Sequence, residues 1–297
     1  MIAVTGATGF VGFHLLRALE KRAKEVRCLV RSSSPRRARL KISSAQVCEV
    51  DFEKKEDLRR AFKGCDTVIH ILGLINGTEE ALRRVNIDIT KNVVEAARCE
   101  GAGRFIFVSS VAAIRRHGSY GETKFQAEEI VKLSGLPYII FRPAYIYGEG
   151  DENNTGLMIR TLKKFPLIPL LGGGSFRLQP VFIDDVISLL MQSVDRPVPN
   201  KIYNVAGLRQ IALKEMLIFL AAGLHLKRFF IPIPLKPVQA VLRVYVQIFK
   251  NTRLPAKQIL ELDKHEAFDI SQTSRDFVFN PVEFKEGVAK MFESCAV

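Results

Sequence analysis

Short apolar runs alternate with helical stretches through the first half of the chain, and this rhythm leaves few folds open. The runs are Ile2 to Thr5, Val26 to Val30, Val47 to Val50, Thr67 to Leu72, Phe105 to Val108 and Tyr138 to Phe141. Each is apolar almost throughout, the pattern of a parallel strand covered on both faces. Val11 to Ala23 and Glu79 to Arg98 lie between them with helical periodicity; in the second, Leu82, Val85, Ile89, Val93 and Ala96 or Ala97 share one face. Such alternation predicts an α/β fold built on a doubly wound parallel sheet with right-handed crossovers. After Tyr147 the rhythm breaks, and glycines cluster at Gly172, Gly173 and Gly174. A sheet domain is therefore expected over 1–147, rejoined by 178–207, with a smaller α/β cap from 148–177 and 208–297.

Composition sets further limits. Hydrophobic residues make up 47% and charged residues 25% of the 297, which excludes a disordered chain. The formal charge of +13 points to an anionic partner, with solubility as the plain alternative. The cysteines, Cys28, Cys48, Cys65, Cys99 and Cys295, form no CxxC pair and read as reduced thiols of a cytoplasmic protein. No signal peptide is expected at the opening MIAVTGATG, and with no charge-free apolar run of 18 residues no spanning helix is expected. His70, His117 and His225 are scattered, and His14 and His265 read as surface or packing residues, so no metal site is expected.

The first strand ends in Thr5-Gly6-Ala7-Thr8-Gly9-Phe10-Val11-Gly12, directly before a helix. Glycines at this spacing allow a tight turn and let backbone N–H groups approach a pyrophosphate at a helix N-terminus. Gly6, Thr8, Gly9, Phe10, Val11 and Gly12 are the expected contacts, against the bland alternative of a turn that only packs helix on sheet. The second strand is followed by Arg31 and Ser32, with no acid before Glu49. An acid there would hold a ribose hydroxyl, whereas Arg31 and Ser32, helped by Arg36 and Arg37, suit a 2′-phosphate. NADP(H) is therefore favoured over NAD(H). Asp51 and Phe52, after the third strand, are candidates to meet the adenine.

Tyr120 and Lys124 stand four apart and share a helical face. A phenol is too weak an acid to exchange protons at neutral pH unless a neighbouring cation stabilises its phenolate. With that help it can move a proton at a substrate hydroxyl or carbonyl. Ser109 and Ser110 follow the fifth strand, at the sheet edge where ligands bind.

The ordered set TGATGFVG (Thr5 to Gly12), CDTVIHILG (Cys65 to Gly73), FVSS (Phe107 to Ser110), YGETK (Tyr120 to Lys124), FRPAYIYGEGD (Phe141 to Asp151) and QPVFIDDV (Gln179 to Val186) resembles the short-chain dehydrogenase/reductase superfamily in its extended form, the NAD-dependent epimerase/dehydratase family. The resemblance implies a Rossmann domain with a substrate-binding cap. It assigns catalytic roles to Ser110, Tyr120 and Lys124, with Lys124 also on the nicotinamide ribose. Ile71, Leu72 and Gly73 would line the cofactor, Pro143 would border the nicotinamide, and Tyr147 would lie close by on the substrate side. The Asp-Glu pair of the family's dehydratases is replaced by Val111-Ala112-Ala113, which argues against a sugar 4,6-dehydratase.

The second half points in two directions. Gln179-Pro180 is similar to atypical members, including the NAD(P)-binding accessory subunit of respiratory complex I. The ending, Phe268-Asp269-Ile270 through Phe284-Lys285-Glu286-Gly287, is similar to nucleoside-diphosphate-sugar epimerases. From Met216 to Leu260 there is no acidic residue, and Lys227, Arg228, Lys236 and Arg243 are among the bases. That stretch can pack on the core, close over a diphosphate with Arg177 and Arg243 as ligands, or lie peripherally on an anionic membrane. The bases lack interleaved aromatics, so nucleic acid is not an expected partner.

The leading expectation is an enzyme that oxidises or reduces a hydroxyl or keto carbon of an anionic small molecule, foremost a nucleoside-diphosphate sugar. The alternatives are a non-catalytic nucleotide-binding accessory at a membrane complex and a reductase of an apolar ketone. The resemblance also implies a homodimer through Glu79 to Arg98 and Tyr120 to Leu133.

Overall fold

A computed structural model describes residues 1–42, 44–116, 118–196, 200–240 and 267–293. The chain divides into two units. The first comprises Met1–Ala144, Ile183–Ala206 and Asp269–Asn280. Its strands are β1 (Ile2–Thr5), β2 (Val26–Val30), β3 (Gln46–Glu49), β4 (Thr67–His70), β5 (Arg104–Val108), β6 (Tyr138–Pro143) and β7 (Lys201–Val205). They form one seven-stranded sheet in the order β7-β6-β5-β4-β1-β2-β3. Every pairing is parallel, as the doubly apolar runs predict. The order reverses between β1 and β4, which makes the carboxyl ends of these two strands the place for a ligand.

Helices cover both faces of the sheet. The helix α1 (Phe10–Lys21) buries Leu15, Leu16 and Leu19 and packs on α7 (Ile183–Asp195). On the other face α2 (Lys55–Phe62) packs on α4 (Ile89–Cys99), and α4 on α6 (Gly118–Lys132). The expected helix from Glu79 exists with one departure: α3 (Glu79–Arg83) reaches α4 through a π-helical stretch, Arg84–Asp88. Thr78 caps its start by accepting from the Ala81 N–H at 3.2 Å. A short helix, α5 (Ala112–Arg115), follows β5. Phe105, Phe107, Val93, Ala97 and Ala127 are fully buried in the core between sheet and helices.

The second unit comprises Tyr145–Phe182, Gly207–Phe268 and Pro281–Val297. It is built on three two-stranded ladders: Tyr145–Tyr147 with Pro180–Phe182, Arg177–Leu178 with Ile211–Ala212, and Leu167–Leu171 with Phe229–Ile233. The helices Thr155–Lys164, Leu213–Gly223 and Phe284–Glu293 accompany them. At the start of the first, the Thr155 N–H donates to Asp151 Oδ2 at 2.7 Å.

The boundaries differ from the sequence expectation in two places. Pro180–Phe182 pairs with Tyr145–Tyr147, so both belong to the second unit; the first unit pauses at Ala144 and resumes at Ile183, not at 178. Residues Asp269–Asn280, expected in the cap, belong to the first unit. Asp276 Oδ2 accepts from the Tyr203 hydroxyl at 2.7 Å and from Lys201 Nζ at 2.8 Å, which ties the segment to β7.

Candidate active site

The glycine loop is held by contact rather than by side-chain bonds. Gly6 has φ +77, and a Cβ placed on it would lie 2.7 Å from the backbone nitrogen of Leu72. A Cβ on Gly12 would lie 2.2 Å from the Gly6 carbonyl oxygen. Backbone meets backbone at both points, so only glycine allows the turn to close. Gly9 is the N-cap of α1 in extended conformation and offers no side-chain cap. The first N–H groups of α1 therefore stay available to an anion. Ile71 is tied to β1 by its N–H, which donates to the Thr5 carbonyl at 3.2 Å. The cradle thus fits a dinucleotide pyrophosphate, with the backbone of Ile71 and Leu72 beside Gly6. Thr8 Oγ1 lies 3.4 Å from Ser34 Oγ, which joins the loop to the segment after β2. Phe10 sets its ring edge-on to His14 at 5.4 Å, and Val11 is half-buried.

Arg31 and Ser32 are exposed directly after β2. Arg37 is engaged in an ion pair with Glu49. Asp51 is exposed, and its Oδ1 accepts from the Glu53 N–H at 3.0 Å. Phe52 follows Asp51. Its side chain is 2% exposed in the core, and its carbonyl accepts from Asn92 at 3.1 Å. The apolar ring gains more from the core than from a solvent-facing adenine.

At the carboxyl end of β5, the structure brings Ser110 and Tyr120 together. The Tyr120 side chain lies near Ser110, whose Oγ accepts the Ala112 N–H at 3.2 Å. Lys124, one turn along α6, is 4% exposed. Its Nζ donates to the Val108 carbonyl at 2.9 Å and sits 4.2 Å from the centre of the Phe107 ring. Burial pushes its pKa down to about 7, against a smaller opposing pull from Glu128. The Tyr120 pKa stands above its ordinary value. Burial raises it, and the neighbouring Ser110 only partly offsets this. The phenol is consequently protonated at neutral pH.

Three side chains that the sequence analysis passed over support this group. Asn86, in the π-helical stretch, accepts from the Leu74 N–H at 2.8 Å and donates to the Leu74 carbonyl at 2.9 Å and to Thr123 Oγ1 at 3.1 Å. It locks the loop after β4 to α6 beside Lys124, a use typical of π-bulges at functional sites. Glu128 is fully buried, accepts from Ser109 Oγ at 2.5 Å, and forms an ion pair with Arg142 of β6. The spacing Tyr120, Lys124, Glu128 on one helical face is the signal that would have found it.

Pro143 is buried, and its carbonyl accepts from the Val111 N–H at 3.0 Å. Tyr147, expected at the substrate, is fully buried within the second unit, its ring 4.6 Å from Phe284 and 5.4 Å from Phe182. Arg177 lies exposed on its short strand. Arg243 lies outside the described residues, as do His117, His265 and Cys295. Cys28, Cys48, Cys65 and Cys99 are free thiols. Among the described residues no three metal-ligating side chains converge, and no helix is long and apolar enough to cross a membrane.

Comparison with known proteins follows this geometry. The chain is 36% identical over 200 residues to a ceramide reductase of Caulobacter vibrioides, 67% of this chain and 62% of that protein, so the match spans under two thirds of the relative. It is 27% identical to the Arabidopsis thaliana NADH dehydrogenase [ubiquinone] 1 alpha subcomplex subunit 9, mitochondrial, over 95% of this chain and 72% of the other. The fold superposes on a UDP-glucose 4-epimerase from Thermotoga maritima, in complex with UDP-glucose, with a TM-score of 0.79 at 19% identity, covering 99% and 98% of the two chains. The model of the NAD dependent epimerase/dehydratase family matches residues 2–206, and the chain belongs to that family.

Proposed function

We propose that the protein is an NADP(H)-dependent oxidoreductase that reduces a keto group in an apolar substrate. The observation that carries this reading is the placement of Ser110 beside the buried Tyr120, with buried Lys124 one turn further along the same helix. A reduced nicotinamide, when bound, supplies the hydride. The chain's own residues manage the oxygen. Ser110 Oγ holds the carbonyl oxygen beside Tyr120. The Tyr120 phenol, protonated through burial, gives its proton to that oxygen as charge develops on it. Lys124, when charged, favours the phenolate left behind. Exposed Arg31 and Ser32, with Glu49 committed to Arg37, support a 2′-phosphate and hence NADP(H).

Two observations favour an apolar substrate over the nucleoside-diphosphate sugar expected from sequence. The ceramide reductase is a relative at 36% identity. The residues that carried the sugar-epimerase likeness also have structural duties. The Phe268 N–H donates to Gln179 Oε1 at 2.7 Å. Phe277 packs on Tyr203 and Phe141, and Phe284 packs on Tyr147. A non-catalytic role, suggested by the likeness to the plant complex I subunit, is disfavoured by the retained serine, tyrosine and lysine.

The test is turnover of NADPH and of NADH by the purified protein against long-chain aliphatic ketones, steroid ketones and UDP-sugars. NADPH oxidation with an apolar ketone is expected, and Tyr120→Phe should lower kcat by roughly 10²–10⁴-fold while dinucleotide affinity holds. Turnover of UDP-sugars alone would move the substrate to nucleotide sugars. Undiminished activity of Tyr120→Phe would remove the mechanism.

A further inference from the structure

The ladder of Leu167–Leu171 with Phe229–Ile233 breaks the usual rule for a small two-stranded sheet. One face of such a sheet packs inward, and the other, meeting water, carries polar side chains. Here Ile168 and Leu170 face inward and are each 4% exposed. The outward positions are apolar as well. Leu167 and Phe229 are register partners and are 54% and 69% exposed; the next pair outward is Pro169 with Ile231, the latter 45% exposed. Four apolar side chains thus stand together on the water side, with Phe165 also exposed just before the first strand. Contiguous apolar surface of this kind marks a contact surface.

The charged residues near it in the sequence are all of one sign. Both strands lie in acid-free sequence: no Asp or Glu occurs from Asn153 to Ile183, nor from Met216 to Leu260. Lys163, Lys164 and Lys227 are exposed at the start of the ladder, and Lys236 just beyond its end. Arg228 draws the first group together, since its Nε donates to the Leu162 carbonyl at 2.5 Å and the Phe229 N–H donates to the Pro166 carbonyl at 3.0 Å. The tip of the helix Thr155–Lys164 and the segment entering the second strand are therefore joined, lysines from both beside the apolar pair.

We infer that this face docks the protein on an anionic lipid bilayer, with Leu167, Phe229 and Ile231 entering the interface and Lys163, Lys164, Lys227 and Lys236 meeting the headgroups. Apolar side chains ringed by lysines match the two driving forces of interfacial binding. Long lysine stems let the ammonium groups reach the headgroup level while the apolar row sinks below it. A protein partner fits less well, because lysine is depleted from protein interfaces. The inference does not depend on the reaction proposed above, since docking is read without substrate.

The experiment is cosedimentation of the full chain with vesicles of phosphatidylcholine alone and of phosphatidylcholine with one third phosphatidylserine, at low and high salt. Binding to the anionic vesicles at low salt, falling as salt screens the lysines, is expected. Lys227→Glu with Lys236→Glu should weaken it roughly tenfold or more. Phe229→Ser with Leu167→Ser should weaken it about as much, through lost apolar burial. Leu133→Ser, at a leucine of the first unit that is 84% exposed, is the control and should bind as the parent does. All the altered side chains are exposed, so unchanged thermal midpoints are expected, and the charge-reversal pair decides if the serine pair fails to fold. Absence of binding at low salt, or binding that neither pair weakens, overturns the inference. So does a dimer in sedimentation velocity that Phe229→Ser dissociates, which would give the face to a second copy of the chain.

Discussion

Lys124 Nζ donates to the carbonyl oxygen of Val108, the last residue of β5, two positions before Ser110. The lysine is thus fastened to the strand end that presents the serine. It lies too deep for full hydration, which is why its pKa falls to about 7 from an ordinary value of 10.5.

This burial has a pH signature. Between about pH 7 and 10.5 the unfolded chain holds a proton on Lys124 that the folded chain has released, so stability from this group rises with pH across that window. Below pH 7 both states are charged and the burial penalty is complete. Lys124→Met removes it. In cofactor-free protein, the stability of Lys124→Met relative to the parent should be greatest at low pH and decline as pH climbs towards 10.5. Urea midpoints at several pH values measure this, and a pH-independent difference would contradict the assignment.

Glu128 and Arg142 form the second test. Glu128 is fully buried and carries bonds from Ser109 as well as from the guanidinium. Removing one partner of a buried pair leaves the other charge uncompensated, so Glu128→Gln should cost about 3 kcal/mol. Replacing both with methionine should cost clearly less than the sum of the two single changes. Additive losses in a double-mutant cycle would show that the pair does not act as a unit. Because Ser109 adjoins Ser110, Glu128→Gln should also lower kcat more than it raises KM.

His70 provides a third. It bridges β1 and α4, with Nδ1 2.7 Å from Thr5 Oγ1 and Nε2 3.0 Å from Thr90 Oγ1. Complete burial, with a smaller contribution from Lys124, pushes its pKa down to about 3. The folded chain keeps it neutral while the unfolded chain charges it below about pH 6.5, so stability falls as pH drops from 6.5 towards 3. His70→Asn should be less stable at neutral pH, through lost hydrogen bonds, yet lose less further stability on acidification. An equally steep acid response in both proteins would assign that response to other groups.

What the sequence disclosed follows the range of the interaction. Strands β1, β2, β4, β5 and β6 announced themselves because burial on both faces writes a local apolar run. Ser110, Tyr120 and Lys124 were legible because neighbours in space are near neighbours in the chain. The tie of Asp276 to Tyr203 spans 73 positions and leaves no local mark, so Asp269–Asn280 was placed in the wrong unit. Asn86 was hidden for another reason. Its π-helical stretch keeps the apolar periodicity of Leu82, Val85 and Ile89, and the added residue per turn does not disturb the pattern enough to be seen. Motif identity also failed to give direction: Tyr147 sits in FRPAYIYGEGD, yet its ring turns into the core of the second unit.

The glycine loop allows a graded test of the cofactor cradle. A methyl group on Gly12 would meet the Gly6 carbonyl oxygen at 2.2 Å and the Ala7 Cα at 2.8 Å, atoms of a backbone that cannot swing aside. Gly12→Ala must therefore shift α1 away from the loop, which misaims its N–H groups and loosens the packing of Leu15, Leu16 and Leu19. The same change at Gly9 meets only the Gly6 oxygen, at 3.2 Å, which a small adjustment relieves. Gly12→Ala is expected to lower the thermal midpoint by several degrees and to abolish calorimetric binding of NADPH, whereas Gly9→Ala should fold normally and weaken binding modestly. The pairing of the two matters, because a loop that only packed helix on sheet would lose stability in Gly12→Ala and show no dinucleotide binding in any form of the protein.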